Sequence, residues 1–301
     1  LKIALRGAEP LEWSVDETPL LWPGDPAVWP RIAPVLFPVV GWTRGGQIRH
    51  RGVAYPMGIH GFASARPFEI VEADAGRARL RLSPDAETRA RYPFEFRLDA
   101  IYRLEAEALN WTLEATNCGA EPMPYAVGLH PGFCWPLAGS TRAHSFLFDA
   151  PERSDVPVIA PGGLFSAERR TVPLLDAGDA RMRPDALWGA SPGAKPARGR
   201  RLALTSDLLA QEAICFLDIS SRGATLDNGA GESLRVDLEG FPHLALWARP
   251  PAPFLCIEAW TGYGDPVGFY GDLSEKPSMR LLAPGETGRH SARFSFTSAA
   301  S

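Results

Sequence analysis

Five separate stretches of this 301-residue chain place apolar residues at every second position, and no stretch carries the 3.6-residue spacing of a long amphipathic helix. They are Ala78-Arg79-Leu80-Arg81-Leu82, Phe94-Glu95-Phe96-Arg97-Leu98, Trp111-Thr112-Leu113-Glu114-Ala115, Leu234-Arg235-Val236-Asp237-Leu238 and Ala292-Arg293-Phe294-Ser295-Phe296. A period of two sends alternate side chains to opposite faces of a strand, so each stretch predicts a strand with one buried and one solvated face. With 29 glycines and 29 prolines, the chain is interrupted at strand-like intervals. Asp227-Asn228-Gly229, between two short apolar runs, predicts a hairpin. Ser83-Pro84-Asp85-Ala86-Glu87 offers an N-cap, a first-turn proline and early acids, enough for one or two helical turns ending before Pro93. Without long helices a βαβ fold is disfavoured. The expected architecture is all-β, a large antiparallel sandwich. Residues 185–201, rich in Pro, Gly, Ala and Arg, read as an exposed loop. No composition break or internal repeat divides the chain, so residues 1–301 are expected to form one domain.

Composition narrows the function classes. At 45% hydrophobic the chain can bury a sizeable core, and its net charge of −4 with no basic block beyond Arg198–Arg201 argues against nucleic acid. No signal peptide or membrane-spanning run is evident, and the four cysteines, Cys118, Cys134, Cys215 and Cys256, lack metal-ligand spacing. Their apolar neighbours predict buried free thiols, and a cytoplasmic location is expected. The sequence opens inside an apolar stretch, which leaves room for a short preceding segment that could carry a signal.

Three segments are suited to proton chemistry. In Pro124-Tyr125-Ala126-Val127-Gly128-Leu129-His130-Pro131-Gly132-Phe133, proline holds His130 in an extended conformation, and imidazole titrates near neutrality. Gly58-Ile59-His60-Gly61-Phe62 presents a second imidazole. Phe254-Leu255-Cys256-Ile257-Glu258-Ala259-Trp260 places a carboxylate in an apolar run, where it is costly to bury without a partner. Each has a purely structural alternative: a core imidazole bonded to backbone for His130, a turn residue for His60, a salt-bridged or edge-strand carboxylate for Glu258. Arg31 lies in Trp29-Pro30-Arg31-Ile32-Ala33-Pro34, where its fixed donors need acceptors and suit hydroxyl or carboxylate recognition. His50, His144, His243 and His290 read as structural or surface residues. Among Trp29, Phe62, Phe133 and Trp260, one or two could pack against the apolar face of a sugar.

In this order the segments resemble the aldose 1-epimerase (galactose mutarotase-like) family, and most of all its bacterial mutarotase-related branch. The resemblance runs from Trp22-Pro23-Gly24-Asp25-Pro26 and Trp29 through Gly41, to Tyr55-Pro56-Met57-Gly58-Ile59-His60-Gly61-Phe62-Ala63 and Tyr92-Pro93-Phe94-Glu95-Phe96. It continues through Asn117, Met123-Pro124 to Phe133, Phe241-Pro242 with Trp247, Ala252 to Glu258, and Leu282-Ala283-Pro284-Gly285-Glu286-Thr287. It implies a twisted β-supersandwich that interconverts α and β sugar anomers. By the same resemblance Glu258 corresponds to the catalytic base, His130 to the catalytic acid, His60 to an assisting histidine and Arg31 to a sugar-binding arginine. Glu212, in Gln211-Glu212-Ala213-Ile214, is the nearest match to a mid-chain acidic residue that contacts sugar hydroxyls, where relatives more often carry aspartate. Trp260 and Phe133 are the aromatic residues expected at the sugar. Ala259 stands where the family commonly has proline after the base, which bears on local loop shape.

The implied reaction needs only proton transfers, so the expected partner is a small-molecule sugar, with no cofactor and no metal. Three alternatives stay open at this level. Two histidines and a glutamate could form a facial triad for iron or zinc, although the close His-x-His pair common in β-barrel metal sites is missing. The fold could serve sugar binding without catalysis. The substrate could be a hexose 6-phosphate, for which Arg44, Arg49, Arg51 and Arg66 are the candidate phosphate ligands.

Overall fold

The computed structural model describes residues 1–176 and 198–299. Their backbone is dominated by a ten-stranded and a six-stranded sheet, both antiparallel. The large sheet runs in the order Leu174–Leu175, Arg198–Leu204, His144–Arg153, Gly223–Asp227, Ser233–Glu239, Thr287–Thr297, Ala108–Asn117, Phe96–Leu104, Arg77–Leu82 and Glu69–Ala73. The five alternating stretches fall on five neighbouring strands of this sheet. Leu98, Ala100 and Tyr102 point inward with Trp111, Leu113, Val236, Ala292 and Phe294. Opposite-charge pairs cover the other face: Asp99, buried and directly across from Arg81, accepts from its Nε and Nη2 at 2.7 and 2.9 Å.

The smaller sheet holds Ile214–Phe216, His243–Trp247, Phe254–Trp260, Gly128–Leu129 and Val35–Leu36 in that order, with Gly132–Cys134 also pairing to Phe254–Trp260. Its inner face packs on the large sheet through aromatic contacts that span the sandwich. Phe133 meets Phe294 at 5.4 Å between ring centroids and Phe148 meets Phe216 at 4.8 Å. The strand Phe254–Trp260 is buried along its whole length, because the large sheet covers one face and further segments of chain cover the other. A strand buried on both sides carries no polar alternation, which is why the sequence pattern exposed only the large sheet.

Several local expectations shift. The short helix is Ala86–Arg89, capped by Asp85, whose carboxylate accepts from Thr88 N at 2.8 Å in a capping box; Ser83 and Pro84 precede it. The strand expected from Phe94 begins at Phe96, since Tyr92–Phe94 closes a turn with Phe94 N donating to Tyr92 O at 2.8 Å. The hairpin at Asp227 forms, but its first paired residues are Asp227 and Ser233, so the loop is longer than two residues. Buried Asn228 organises it by accepting from Ala230 N and Glu232 N. The loop expected over 185–201 lies outside the described residues up to 197, and Arg198–Arg201 open a strand. Cys215 and Cys256 are buried free thiols, whereas Cys118 is exposed just beyond a strand end and Cys134 is half-buried.

Candidate active site

The smaller sheet builds the site by register. Gly128 pairs with Trp260 and Gly132 with Cys256 across two antiparallel ladders. The same register carried through Pro131 sets His130 directly opposite Glu258. Cross-strand neighbours on one face approach closely, and His130 Nε2 lies 3.2 Å from Glu258 Oε2. Pro131 cannot donate to the ladder, but its carbonyl still accepts from Ile257 N at 3.2 Å, and His130 N donates to Pro34 O at 3.2 Å. The row extends outward through Ala245 to Cys215. This face, turned away from the large sheet, forms the floor of a cavity of about 500 Å³.

The glycines flanking His130 make room for two indoles. A Cβ on Gly132 would sit 2.7 Å from Trp29 Cζ3, and one on Gly128 would sit 3.0 Å from both Leu36 Cδ1 and Trp260 Cδ1. Trp29 therefore lies against the strand and stacks on the His130 imidazole, with centroids 5.1 Å apart. Trp260 packs beside Leu36, Val40, Ala126 and Phe165, and its Nε1 donates to Glu258 Oε2 at 3.0 Å. Both contacts to the carboxylate fall on Oε2. Oε1 makes no hydrogen bond among the described residues.

His60, Arg31 and Glu212 line the same cavity. His60 adopts φ +60°, a left-handed conformation uncommon outside glycine. Gly41 holds it there: His60 N donates to Gly41 O at 2.9 Å, and His60 Nδ1 accepts from Gly41 N at 3.1 Å. An Nδ1 that accepts places the ring proton on Nε2. Arg31 Nη1 lies 3.5 Å from Glu9 Oε2, and Glu9 Oε1 accepts from Ile32 N and Ala33 N at 2.9 and 3.0 Å. Glu9 thus ties the guanidinium to the backbone beside it. Glu212 sits exposed at the mouth, on a turn braced by Arg170, which donates to Gln211 Oε1 at 2.7 Å and Glu212 O at 2.8 Å.

Burial sets the electrostatics. It pushes the Glu258 carboxyl well above its ordinary range, opposed by the Trp260 N–H. His130 is held well below the ordinary imidazole range by burial, then by the neighbouring His60 and by Arg31. His60 is lowered to about 4 by burial and by Arg31. Carboxyl and imidazole are therefore displaced in opposite directions, each toward its neutral form. His130 Nδ1 is buried without a hydrogen-bond partner among the described residues.

Six of the seven sequence-predicted site residues, Glu258, His130, His60, Arg31, Glu212 and Trp260, meet in this cavity. Phe133 does not. It lies three residues beyond His130, an odd interval that turns its side chain to the opposite face, into the core against Phe294. Arg44, Arg49, Arg51 and Arg66 also lie elsewhere. Arg66 pairs with Asp85 and Glu87, Arg51 pairs with Glu121, and Arg44 and Arg49 line a separate cavity of about 210 Å³. Among the described residues, the second guanidinium in the main cavity is Arg249, whose Nη1 donates to Val28 O at 2.9 Å. In Trp247-Ala248-Arg249-Pro250 nothing separates it from a solvated arginine. Glu9 was equally silent in sequence, and only its position between Ala8 and Pro10 in a short apolar run hinted at burial. His144, His243 and His290 are buried and bonded: His144 Nε2 accepts from Leu137 N, His243 Nδ1 accepts from Asp218 N, and His290 Nε2 meets Tyr125 Oη at 2.8 Å. Half-buried His50 packs on Phe94.

Comparison with known proteins identifies the family and the fold. Residues 1–160, more than half of the chain, match the model of the family described as aldose 1-epimerase. The chain is 29% identical over 282 residues to the plasmid-borne protein LacX of Lactococcus lactis subsp. lactis, covering 90% of this chain and 87% of that relative. Among solved structures, a galactose mutarotase-like protein from Lactobacillus casei ATCC 334 superposes with a TM-score of 0.83 at 27% identity, covering 98% of this chain and 96% of the other. A galactose mutarotase related enzyme from Lactobacillus acidophilus, at 24% identity, superposes with a TM-score of 0.81 over 99% and 94% of the two chains. The two-sheet architecture is thus the galactose mutarotase-like fold. With a family match over half its length, the chain belongs to the aldose 1-epimerase family.

Proposed function

We propose that this protein is an aldose 1-epimerase that interconverts the α and β anomers of a hexose. The observation that carries this reading is the cross-strand pair of His130 and Glu258, 3.2 Å apart on the floor of the cavity. In a pyranose, the two oxygens that exchange protons on ring opening are both bonded to C1. An acid and a base must therefore stand side by side, as facing residues of adjacent strands do.

In the working form His130 is protonated and Glu258 is ionised, so the charged pair forms against the burial that favours the neutral state of each group. Glu258 takes the proton from the C1 hydroxyl through the unengaged Oε1. The C1–O5 bond breaks with its electron pair moving to O5, which takes a proton from His130, and C1 becomes the aldehyde carbon. Rotation about C1–C2 and reclosure with the roles reversed produce the other anomer. The proton count of the pair is the same before and after. Positioned acid–base catalysis of this kind supplies roughly 10²–10⁴-fold. His60 donates from Nε2 to a sugar oxygen, and its lowered pKa keeps it neutral while it does so. Arg31 and Glu212 bind hydroxyls from opposite charges.

Arg249, a second guanidinium lining the cavity with Arg31, favours one second reading, a hexose carrying an anionic substituent. Saturation-transfer NMR across free and phosphorylated aldoses tests both. Exchange between anomer signals faster than the buffer rate is expected for at least one free hexose. No acceleration for any aldose in the panel would remove the epimerase assignment, and acceleration only for phosphorylated sugars would move it to the second reading.

A further inference from the structure

We propose that Trp260 is the positioning residue of Glu258, fixing the carboxylate through its indole N–H, and is not a stacking platform for the sugar. This rests on Glu258 being the base. Residues two apart on a strand share a face, and Trp260 Nε1 reaches back along its own strand to Glu258 Oε2 at 3.0 Å. The indole is buried. Leu36 and the missing side chain of Gly128 bound it on one edge, where a Cβ would come within 3.0 Å of Trp260 Cδ1, and Val40, Ala126 and Phe165 pack around it. Packing on this side restricts the ring and keeps its N–H directed at the carboxylate. The carboxylate loses rotational freedom, Oε2 is occupied, and Oε1 is left for the substrate. A donor aimed at an ionised carboxylate also favours the charged form, which opposes the upward push of burial on Glu258, as the working form requires. Donors locked in place by packing need no reorganisation when charge develops.

The indole N–H itself reports this contact. In the ¹⁵N-labelled full chain, the Trp260 indole signal is identified by its loss in Trp260→Phe. It is expected to move with pH in the wild type and to stop moving in Glu258→Gln. The titratable and charged groups around the pair are His130, His60, Arg31, Arg249 and Glu212 around the cavity, Cys215 and Cys256 on the sheet, and His243 across the strand from Trp260. Burial first holds His60 and His243 to about 4 and raises both thiols, and the Glu258→Gln control separates them from the carboxyl. An indole signal that ignores pH and is unchanged in Glu258→Gln would overturn the proposal whether or not the protein turns over any sugar.

Kinetics supply the second arm. Trp260→Phe keeps most of the ring volume and removes the donor, and a hydrogen bond to a charged group is worth about tenfold or more. The variant is expected to lose about that factor in kcat, to keep KM within about twofold, and to show a kcat/KM profile displaced to higher pH, since the carboxyl has lost the bond that favoured its ionised form. A raised KM with unchanged kcat and an unmoved pH profile would make Trp260 a sugar platform and overturn the proposal. Absence of mutarotation in the wild type would count against the epimerase reading alone, and the NMR titration would still decide the contact.

Discussion

Replacing Gly128 and Gly132 separately by alanine should separate a larger loss of stability from a smaller one, with activity falling in both because each new methyl meets an indole that contacts the acid–base pair. Neither glycine has a positive φ, so alanine fits both backbones and contributes about 0.4–1 kcal/mol by restricting the unfolded chain. The difference lies in what the new methyl meets. At Gly128 it arrives 3.0 Å from Leu36 Cδ1 and Trp260 Cδ1 and 3.3 Å from Ala259 O. Leu36 and Trp260 are both buried, so either can give way only by losing packing contacts. Overpacking of that kind costs about 1–3 kcal/mol, so the net loss should be about 1–2 kcal/mol, or roughly 2–8 °C in melting temperature. At Gly132 the methyl arrives 2.7 Å from Trp29 Cζ3; Trp29 is half-buried and can swing outward, at the expense of its contacts with Phe254 and Trp247. Stability should fall by about 1 kcal/mol or less, since the gain from restricting the unfolded chain offsets part of that loss. Displacing Trp29 removes its stack on His130, and aromatic contacts are worth about 0.5–1.5 kcal/mol, so kcat/KM should fall about two- to tenfold. Thermal melts and NMR anomer exchange measured on both variants provide the test. A Gly128→Ala protein as stable as wild type, beside a Gly132→Ala protein that is much less stable, would show that these contacts do not govern the two positions.

Glu258→Gln should fold normally and lose most activity, because the amide cannot accept the C1 proton, and His130→Asn should lose kcat more than affinity; near-wild-type mutarotation in either folded variant would refute the role assigned to it. Arg31→Ala should raise KM by about 10- to 150-fold with little change in kcat, and Glu9→Gln should produce a smaller rise of the same kind, while a large drop in melting temperature with unchanged KM would make Arg31 structural. His60, His243 and His290 are each lowered to about 4, with burial the leading cause at all three. Because these folded-state values lie below the unfolded value of 6.5, their stabilising contribution is complete above that pH and is lost as pH falls from 6.5 toward 4. Urea midpoints should drop through that window, and a flat midpoint there would contradict burial of the neutral rings. Lys276 Nζ lies 2.9 Å from Asp265 Oδ1, with both groups buried, so Lys276→Met should cost about 3 kcal/mol by leaving the Asp265 charge unpaired, with Arg44 N still donating to Oδ2 at 2.8 Å; a melting temperature near wild type would show that this backbone bond satisfies Asp265 without the lysine.

What the sequence determined on its own is whatever a single strand records locally. Alternation at Arg77–Leu82, Ala108–Asn117 and Ser233–Glu239 is legible because one face of the large sheet meets water, and solvent writes a polar residue at every second position. His130, His60, Glu258 and Arg31 stood out because proline, glycine or an apolar run surrounded a group that chemistry can use. The strand Phe254–Trp260 has no such alternation, since both its faces are covered, so its partner strands and its register could not be read from its residues. Register is a long-range property, and it decides the site. It sets His130 across from Glu258 and so decides which face of the sheet carries the site; parity along each strand then turns Phe133 into the core and puts Trp260 on the same face as the carboxylate. It also takes the packed sheet, with the chain segments folded over it, to bring Arg249 and the Glu9 carboxylate to the cavity wall and to leave Arg44, Arg49, Arg51 and Arg66 away from it. Side-chain identity is local, whereas the distance between two side chains far apart in the chain exists only once the strands between them have paired.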